Sequence, residues 1–295
     1  MTPTLSTHPA DPETLAALAV EAIREEALLT PKPGLVDRNG SGGHTDMDVS
    51  MLLRSADSLH ETFIRLASLS QQDMDAQELR DRVGVLGRIG EATMLDATGG
   101  VNTHRGALWT IGLLITAAGR AETEAGIFRR AAALARTSDS AGAPAQSSNG
   151  QRAVRAFGVS GAVSEAAAGF PHITQVALPA LRAGLRRGDT VELSRQRALV
   201  SLIASVDDTC ILHRGGRSGL RWMQRAARRT LDGRRFDSAL ERFAHHADQR
   251  RLSPGGSADL LAGAIFVNSL HLPQTDSPVP LLQQVARQEA LHADH

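Results

Sequence analysis

Apolar side chains recur at helical spacing along almost the whole chain, and the recurrence stops at four places where glycines gather with aspartate, histidine or arginine. That alternation leaves little room for a sheet. Leu15, Leu18, Ala19, Ala22 and Ile23 share one face of a first helix, which Asp11 caps and Pro12 opens. Met51, Leu52, Ser55, Ala56, Leu59, Phe63 and Leu66 line a second helix from about Asp48. Leu79, Val83, Leu86 and Met94 line a third, beyond a polar patch over 70–77. GALWTIGLLITAAG (106–119) and LLAGAIFVNSL (260–270) are apolar all round and belong in a core. A helix over 173–187 closes at Gly188, and Thr190 caps the next, with Leu193, Val200 and Ile203 facing in. Residues 221–251 read as two amphipathic helices with a solvated basic face, and the tail from 280 as a weak closing helix. Abundant Ala, Leu and Arg, 3% aromatics and no tyrosine all favour helix over strand. The expectation is an all-α fold: a flexible N-terminus over 1–10, then a single large multi-helix domain over 11–295. Its active site is expected in the glycine-rich inter-helix loops, and a mobile low-complexity loop at about 137–152.

Composition also excludes classes of function. A formal net charge of zero argues against nucleic acid as the main partner. So few aromatics argue against single-strand binding, which stacks bases on rings. The one cysteine, Cys210, allows no internal disulfide. No apolar run reaches membrane-spanning length, and the first residues lack the charged and apolar regions of a signal peptide. The expected location is the cytoplasm, with no membrane partner.

The four junctions carry the chemistry. The longest, TPKPGLVDRNGSGGHTDMD from Thr30 to Asp48, contains Lys32, the single lysine beside 31 arginines. Its flanking prolines are expected to hold it as a fixed point charge, so that its loss would hurt activity and leave stability little changed. The second, Asp96 to Arg105, opens into an apolar helix that Asn102 or Thr103 would cap, leaving an anion-binding terminus beside His104 and Arg105. The third joins Asp207 and Asp208 to His213 and Arg214, and the fourth is Ser253 to Asp259. Polar groups of this kind are costly to bury singly, so their recurrence at helix ends points to one shared pocket. Glu165, among alanines and glycines, is placed for a raised pKa. No zinc spacing and no phosphate-loop or dinucleotide fingerprint occurs. The carboxylates Asp46, Asp48, Asp207, Asp208 and Asp259 suit a hard cation such as Mg²⁺, and Mg²⁺ implies phosphates.

Five stretches in order, TPKPGLVDRNGSGGHTDMD, ATGGVNTHRGALWTIGLL, SEAAAGFPHITQVALPAL, DDTCILHRGG and SPGGSADLLA, resemble the triphosphoribosyl-dephospho-CoA synthases across about residues 15–270. The resemblance implies an all-α enzyme that joins the triphosphoribosyl group of ATP to 3′-dephospho-CoA and releases adenine. Its product would be the prosthetic-group precursor for the acyl carrier protein of malonate decarboxylase or citrate lyase, passed on by a further transferase. General likeness favours the malonate decarboxylase branch. The sequence departs from the family pattern at Val163 and Ser164, where an Arg-Gly pair is expected before Glu165, and at Cys210, where a polar residue such as Asn is expected.

Given that resemblance, the chemistry assigns candidate roles. Lys32, Arg38, Asn102, His104, Arg105 and Arg214 are candidates for the substrate and its phosphates. Asp48, Asp207 and Asp208 are candidates for Mg²⁺. Glu165, with Asp46 and His44, forms the candidate catalytic set, and Glu165 is first choice for the base that takes the acceptor 2′-hydroxyl proton. The family's α linkage against the β linkage of ATP implies inversion by a single displacement. Two other readings stay open: a Mg²⁺-dependent hydrolase of ADP-ribosyl or other N-glycosidic bonds, and a non-catalytic nucleotide-binding partner of a carrier-protein complex.

Overall fold

The computed structural model describes residues 11–140, 142, 148–233 and 235–273. The N-terminal stretch 1–10, the closing helix of the tail and the middle of the 137–152 loop lie outside the described residues. Among the described residues there are thirteen α-helices, one π-helical turn and no strand, only an isolated bridge between Asp37 and Gly40. In chain order the first helices are α1 (Pro12–Leu28), α2 (Val49–Ser58), α3 (His60–Leu69), α4 (Ala76–Ala97) and α5 (Arg105–Ala118). There follow α6 (Glu124–Arg136), α7 (Asn149–Phe157), α8 (Ala162–Ala167), the π turn Ile173–Ala177 and α9 (Leu178–Arg186). The last four are α10 (Val191–Ser205), α11 (Thr209–Asp232), α12 (Phe236–Gln249) and α13 (Gly255–Ser269).

The two helices read as apolar all round, α5 and α13, pack against each other at the centre, with α1, α3, α10 and the π turn around them. Contact there is close because Gly263 has no side chain: a Cβ on it would lie 2.8 Å from a Thr110 methyl and 2.9 Å from Ile173. Asp11 caps α1 through the Thr14 N–H, and Thr190 caps α10 through the Leu193 N–H, both as expected from sequence.

Two expectations are corrected. The second helix divides at the fully buried Leu59, whose N–H bonds three residues back to Ala56 and so bends the chain around the core. The residue at the head of α5 is His104, which makes no cap with its own side chain, while Asn102 two residues earlier accepts from the Arg105 N–H. The described flanks of the 137–152 loop are anchored. Asp139 takes a 2.7 Å bond from Arg88, and Asp81 accepts from the Ser140 N–H at 2.7 Å. On the far side Ser148 and Gln151 form a reciprocal capping box on α7.

Candidate active site

The first half of the Thr30–Asp48 loop folds into the protein. Lys32 is 2% exposed, and its Nζ donates 2.8 Å bonds to both the backbone oxygen and Oε1 of Glu26, itself 5% exposed. The Lys32 backbone N–H donates to Asp37 Oδ2 at 2.9 Å, which closes the loop on itself. Gly34 fits because its φ is +74° and because a Cβ there would strike the backbone oxygen of Leu252 at 1.8 Å. The ammonium is an interior charge with an interior partner, which stands against the expectation that losing Lys32 would leave stability little changed.

Around this pair the ends of α5, α11 and α13 meet. His104, 5% exposed, shares a 2.9 Å hydrogen bond between Nδ1 and Ser55 Oγ, which in turn meets Thr103. Burial first and the Lys32 charge second hold its pKa down at about 3, so it is a neutral, inward-turned group and offers no charge to a phosphate. Asp208, 1% exposed, caps α11 through the N–H groups of Cys210 and Ile211 and accepts two more bonds from Ser257, at 2.8 and 3.0 Å. Burial pushes its pKa up against the pull of those donors. Asp259, in the first turns of α13, reaches the N-terminus of α5, where its Oδ2 sits 1.8 Å from the place a Gly106 Cβ would take. Part of Asp259 still meets solvent. Burial of its carboxylate, then the nearby Asp208 and Glu26, push its pKa well above the usual range, while the Ala107 N–H pulls the other way. Cys210 lies among these carboxylates, and burial followed by Asp208 and Asp259 raises its thiol, so it stays protonated and is no nucleophile.

The second half of the loop forms a rim. Arg38 and Asp48 are exposed and line one open cleft of about 500 Å³ with Asn39, Ser41 and Ser50. Asp48 is the cap of α2, bonded to the Met51 N–H at 2.8 Å and the Ser50 hydroxyl at 2.7 Å. His44 binds Ser253 Oγ through Nε2 at 2.8 Å, and Arg214 reaches back to the Gly43 oxygen and His44 Nδ1 at 2.9 and 3.0 Å. Asp46 is exposed beside them, 3.6 Å from His44 Nδ1. At the head of α5, exposed Asn102 accepts from the Arg105 N–H, and Arg105 pairs with Glu91.

Glu165 has a partner that sequence reasoning missed. Its Oε1 accepts from the backbone N–H of His172 and its Oε2 meets His172 Nδ1, both at 2.8 Å. The return is made by Gly169, Phe170 and Pro171, with Phe170 held at φ +57° by complete burial of its ring. Glu165 raises the His172 pKa above the ordinary value, with Ser205 and Asp207 adding to it against burial. The Gly-Phe-Pro turn was the available signal. Glu26 carried none, since it sits in ordinary helical sequence, whereas Ser253 and Ser257 lie within the fourth glycine-rich junction.

All four junctions are thus joined: Lys32 lies by His104, Gly106 meets Asp259, Asp208 holds Ser257, and Arg214 holds Gly43 and His44. The three aspartates expected to hold Mg²⁺ are not joined in that way. Asp208 points inward, Asp207 is exposed near Gln224, and Asp48 caps α2. The reason is the break between α10 and α11, which turns the neighbouring Asp207 and Asp208 to opposite sides of the surface. Among the described residues no three His, Cys, Asp or Glu side chains are grouped to hold a metal.

An all-helical protein whose glycine-rich junctions bring cations and carboxylates together at helix ends suits a transferase acting on phosphorylated substrates. Residues 12–277 match the family model described as ATP:dephospho-CoA triphosphoribosyl transferase, and the chain belongs to that family. It is 45% identical over 278 residues to a probable 2-(5''-triphosphoribosyl)-3'-dephosphocoenzyme-A synthase of Pseudomonas syringae pv. syringae, covering 90% of this chain and 94% of that protein. A Klebsiella pneumoniae protein named 2-(5''-triphosphoribosyl)-3'-dephosphocoenzyme-A synthase is 44% identical over 267 residues, 86% of this chain and 93% of its own length. No solved structure matches the chain. The protein is a transferase, and no helix among its described residues is long and apolar enough to cross a membrane.

Proposed function

We propose that the chain transfers the 5-triphosphoribosyl group of ATP to the 2′-hydroxyl of 3′-dephospho-CoA, with release of adenine. The product would serve as precursor of a carrier-protein prosthetic group, that of malonate decarboxylase before that of citrate lyase. The observation that carries the reading is the meeting of the four junctions at the ends of α5, α11 and α13, in a member of this transferase family. Arg38, Arg105 and Arg214 have guanidinium groups at the rim and are assigned to phosphates, with Asn102 beside them. Lys32 acts from within, paired with Glu26, and anchors the loop that carries Arg38. Glu165 is assigned the proton of the attacking hydroxyl. His172 engages both its oxygens, yet each keeps a second lone pair. Mg²⁺ enters with the triphosphate it neutralises. Asp46 stands at the mouth beside His44, and Asp259 supplies a carboxylate at the positive end of α5.

The test is mass spectrometry of the purified chain with ATP, Mg²⁺ and 3′-dephospho-CoA. Adenine and the triphosphoribosylated product should appear together, and neither without the acceptor. Adenine released by water alone would make the protein a hydrolase, and no turnover would leave it a binding partner. Offering the product to a transferase with each acyl carrier protein in turn decides the branch.

A further inference from the structure

Glu165 hangs from α8, a helix of six residues, and its side chain is 13% exposed. Three bonds close the chain on it. The Phe170 N–H donates to its backbone oxygen at 2.9 Å, the His172 N–H donates to Oε1 at 2.8 Å, and Oε2 meets His172 Nδ1 at 2.8 Å. A carboxylate has acceptors only, so Nδ1 is a protonated nitrogen of the ring whatever the state of Nε2. The two side-chain bonds fall on different oxygens and so fix the plane of the carboxylate as well as its place. Among the described residues no other group hydrogen-bonds that carboxylate.

The support behind His172 is rigid. Gly169 and Phe170 reverse the chain with φ of +84° and +57°, and the Phe170 ring is buried. Ile173, fully buried, opens the π turn that packs against α10 and α13. The imidazole also feels the Ser205 backbone and the Asp207 carboxylate at the end of α10, which sets the pair beside the third junction. Glu165 thus takes its direction from a residue that the core holds, whereas α8 alone would leave its side-chain torsions free. We propose that His172 is a positioning residue: its Nδ1–H holds the Glu165 carboxylate in the orientation that receives the acceptor hydroxyl proton, and the imidazole itself passes no proton to or from substrate. This rests on the assignment of that proton to Glu165 made above.

The experiment compares His172→Ala, His172→Asn, Glu165→Gln and the Glu165→Gln/His172→Ala double variant, each checked for folding by thermal melt. Steady-state kinetics are read for ATP and for 3′-dephospho-CoA. Asn carries an N–H close to the place of Nδ1 and no group that titrates near neutral pH, while Ala keeps the backbone bond to Oε1 and loses only the ring's. His172→Ala should lower kcat about a hundredfold and change either KM by less than about threefold. His172→Asn should recover most of that loss, and the double variant should be no slower than Glu165→Gln alone. The proposal is overturned if Asn is as slow as Ala, which would make the imidazole itself the proton carrier. It is overturned too if His172→Ala keeps the wild-type kcat, or if the two single effects add. A further readout needs no turnover: ¹H–¹⁵N NMR of the imidazoles should show a protonated Nδ1 on His172 whose signal shifts or vanishes in Glu165→Ala. An unaltered signal would overturn the pair. A wild type that makes no product yet keeps the signal would overturn the reaction assigned above and leave the bond standing, so the two failures are told apart.

Discussion

The loop from Thr30 to Asp48 has two halves of similar composition and opposite fates. From Lys32 to Asp37 every residue is buried, and from Arg38 onward most are half-buried or exposed. Each half holds a basic side chain and at least one aspartate and one glycine. The inner half satisfies its charges with one another and with Glu26, whereas the outer half keeps Arg38 at an open cleft. The difference teaches that a charge in a glycine-rich loop becomes structural when a counter-charge waits on the facing helix, and stays available for ligand when none does.

Breaking the inner half should therefore cost stability. Lys32→Ala leaves the Glu26 carboxylate buried without its ammonium, and urea unfolding should show a loss of about 3–5 kcal/mol. A Lys32→Met/Glu26→Gln double variant should recover much of that. Wild-type stability in Lys32→Ala would show that water or rearrangement satisfies Glu26, and the comparison would fail. Next in size is Asp208→Ala, which strips the acceptor from buried donors at the heads of α11 and α13 and should cost about 1–3 kcal/mol.

The Glu165–His172 pair lies between the two extremes and gives a smaller, pH-dependent effect. The folded His172 pKa is raised above its ordinary 6.5, first by its bond to Glu165. Its contribution is therefore complete below the unfolded value and fades as pH rises through the folded one. The difference in melting temperature between wild type and Glu165→Gln should shrink as pH rises above the ordinary value of 6.5. A difference that stayed constant would mean that Glu165 does not hold a proton on His172, and one that grew with pH would mean that the folded pKa is lowered. Smallest of all should be Arg38→Ala, whose side chain is exposed: stability should stay within about 0.5 kcal/mol of wild type, while ATP affinity falls. If the same change lowered stability as Lys32→Ala does, the outer half would be no ligand surface.

Much of this was legible before the structure. The helices over Pro12–Leu28 and Val191–Ser205, with caps Asp11 and Thr190, follow from local spacing and cap chemistry, which need no distant partner. So do the two apolar central helices, because a helix without a polar face has nowhere to go but inside. Tertiary structure alone decided which charges face each other. Glu26 reads as one more helix carboxylate until Lys32 folds back on it, and His104 reads as a ligand residue until α5 carries it inward to Ser55. The aspartates Asp207 and Asp208 are neighbours in sequence, yet the turn into α11 gives one to the core and the other to solvent. Helix propensity and cap chemistry act over a few residues, so sequence by itself determines most helices, though not the break at Leu59 or the head of α5. The energy of a charge depends on the partner and the burial that a fold supplies, and these come from residues up to two hundred positions away.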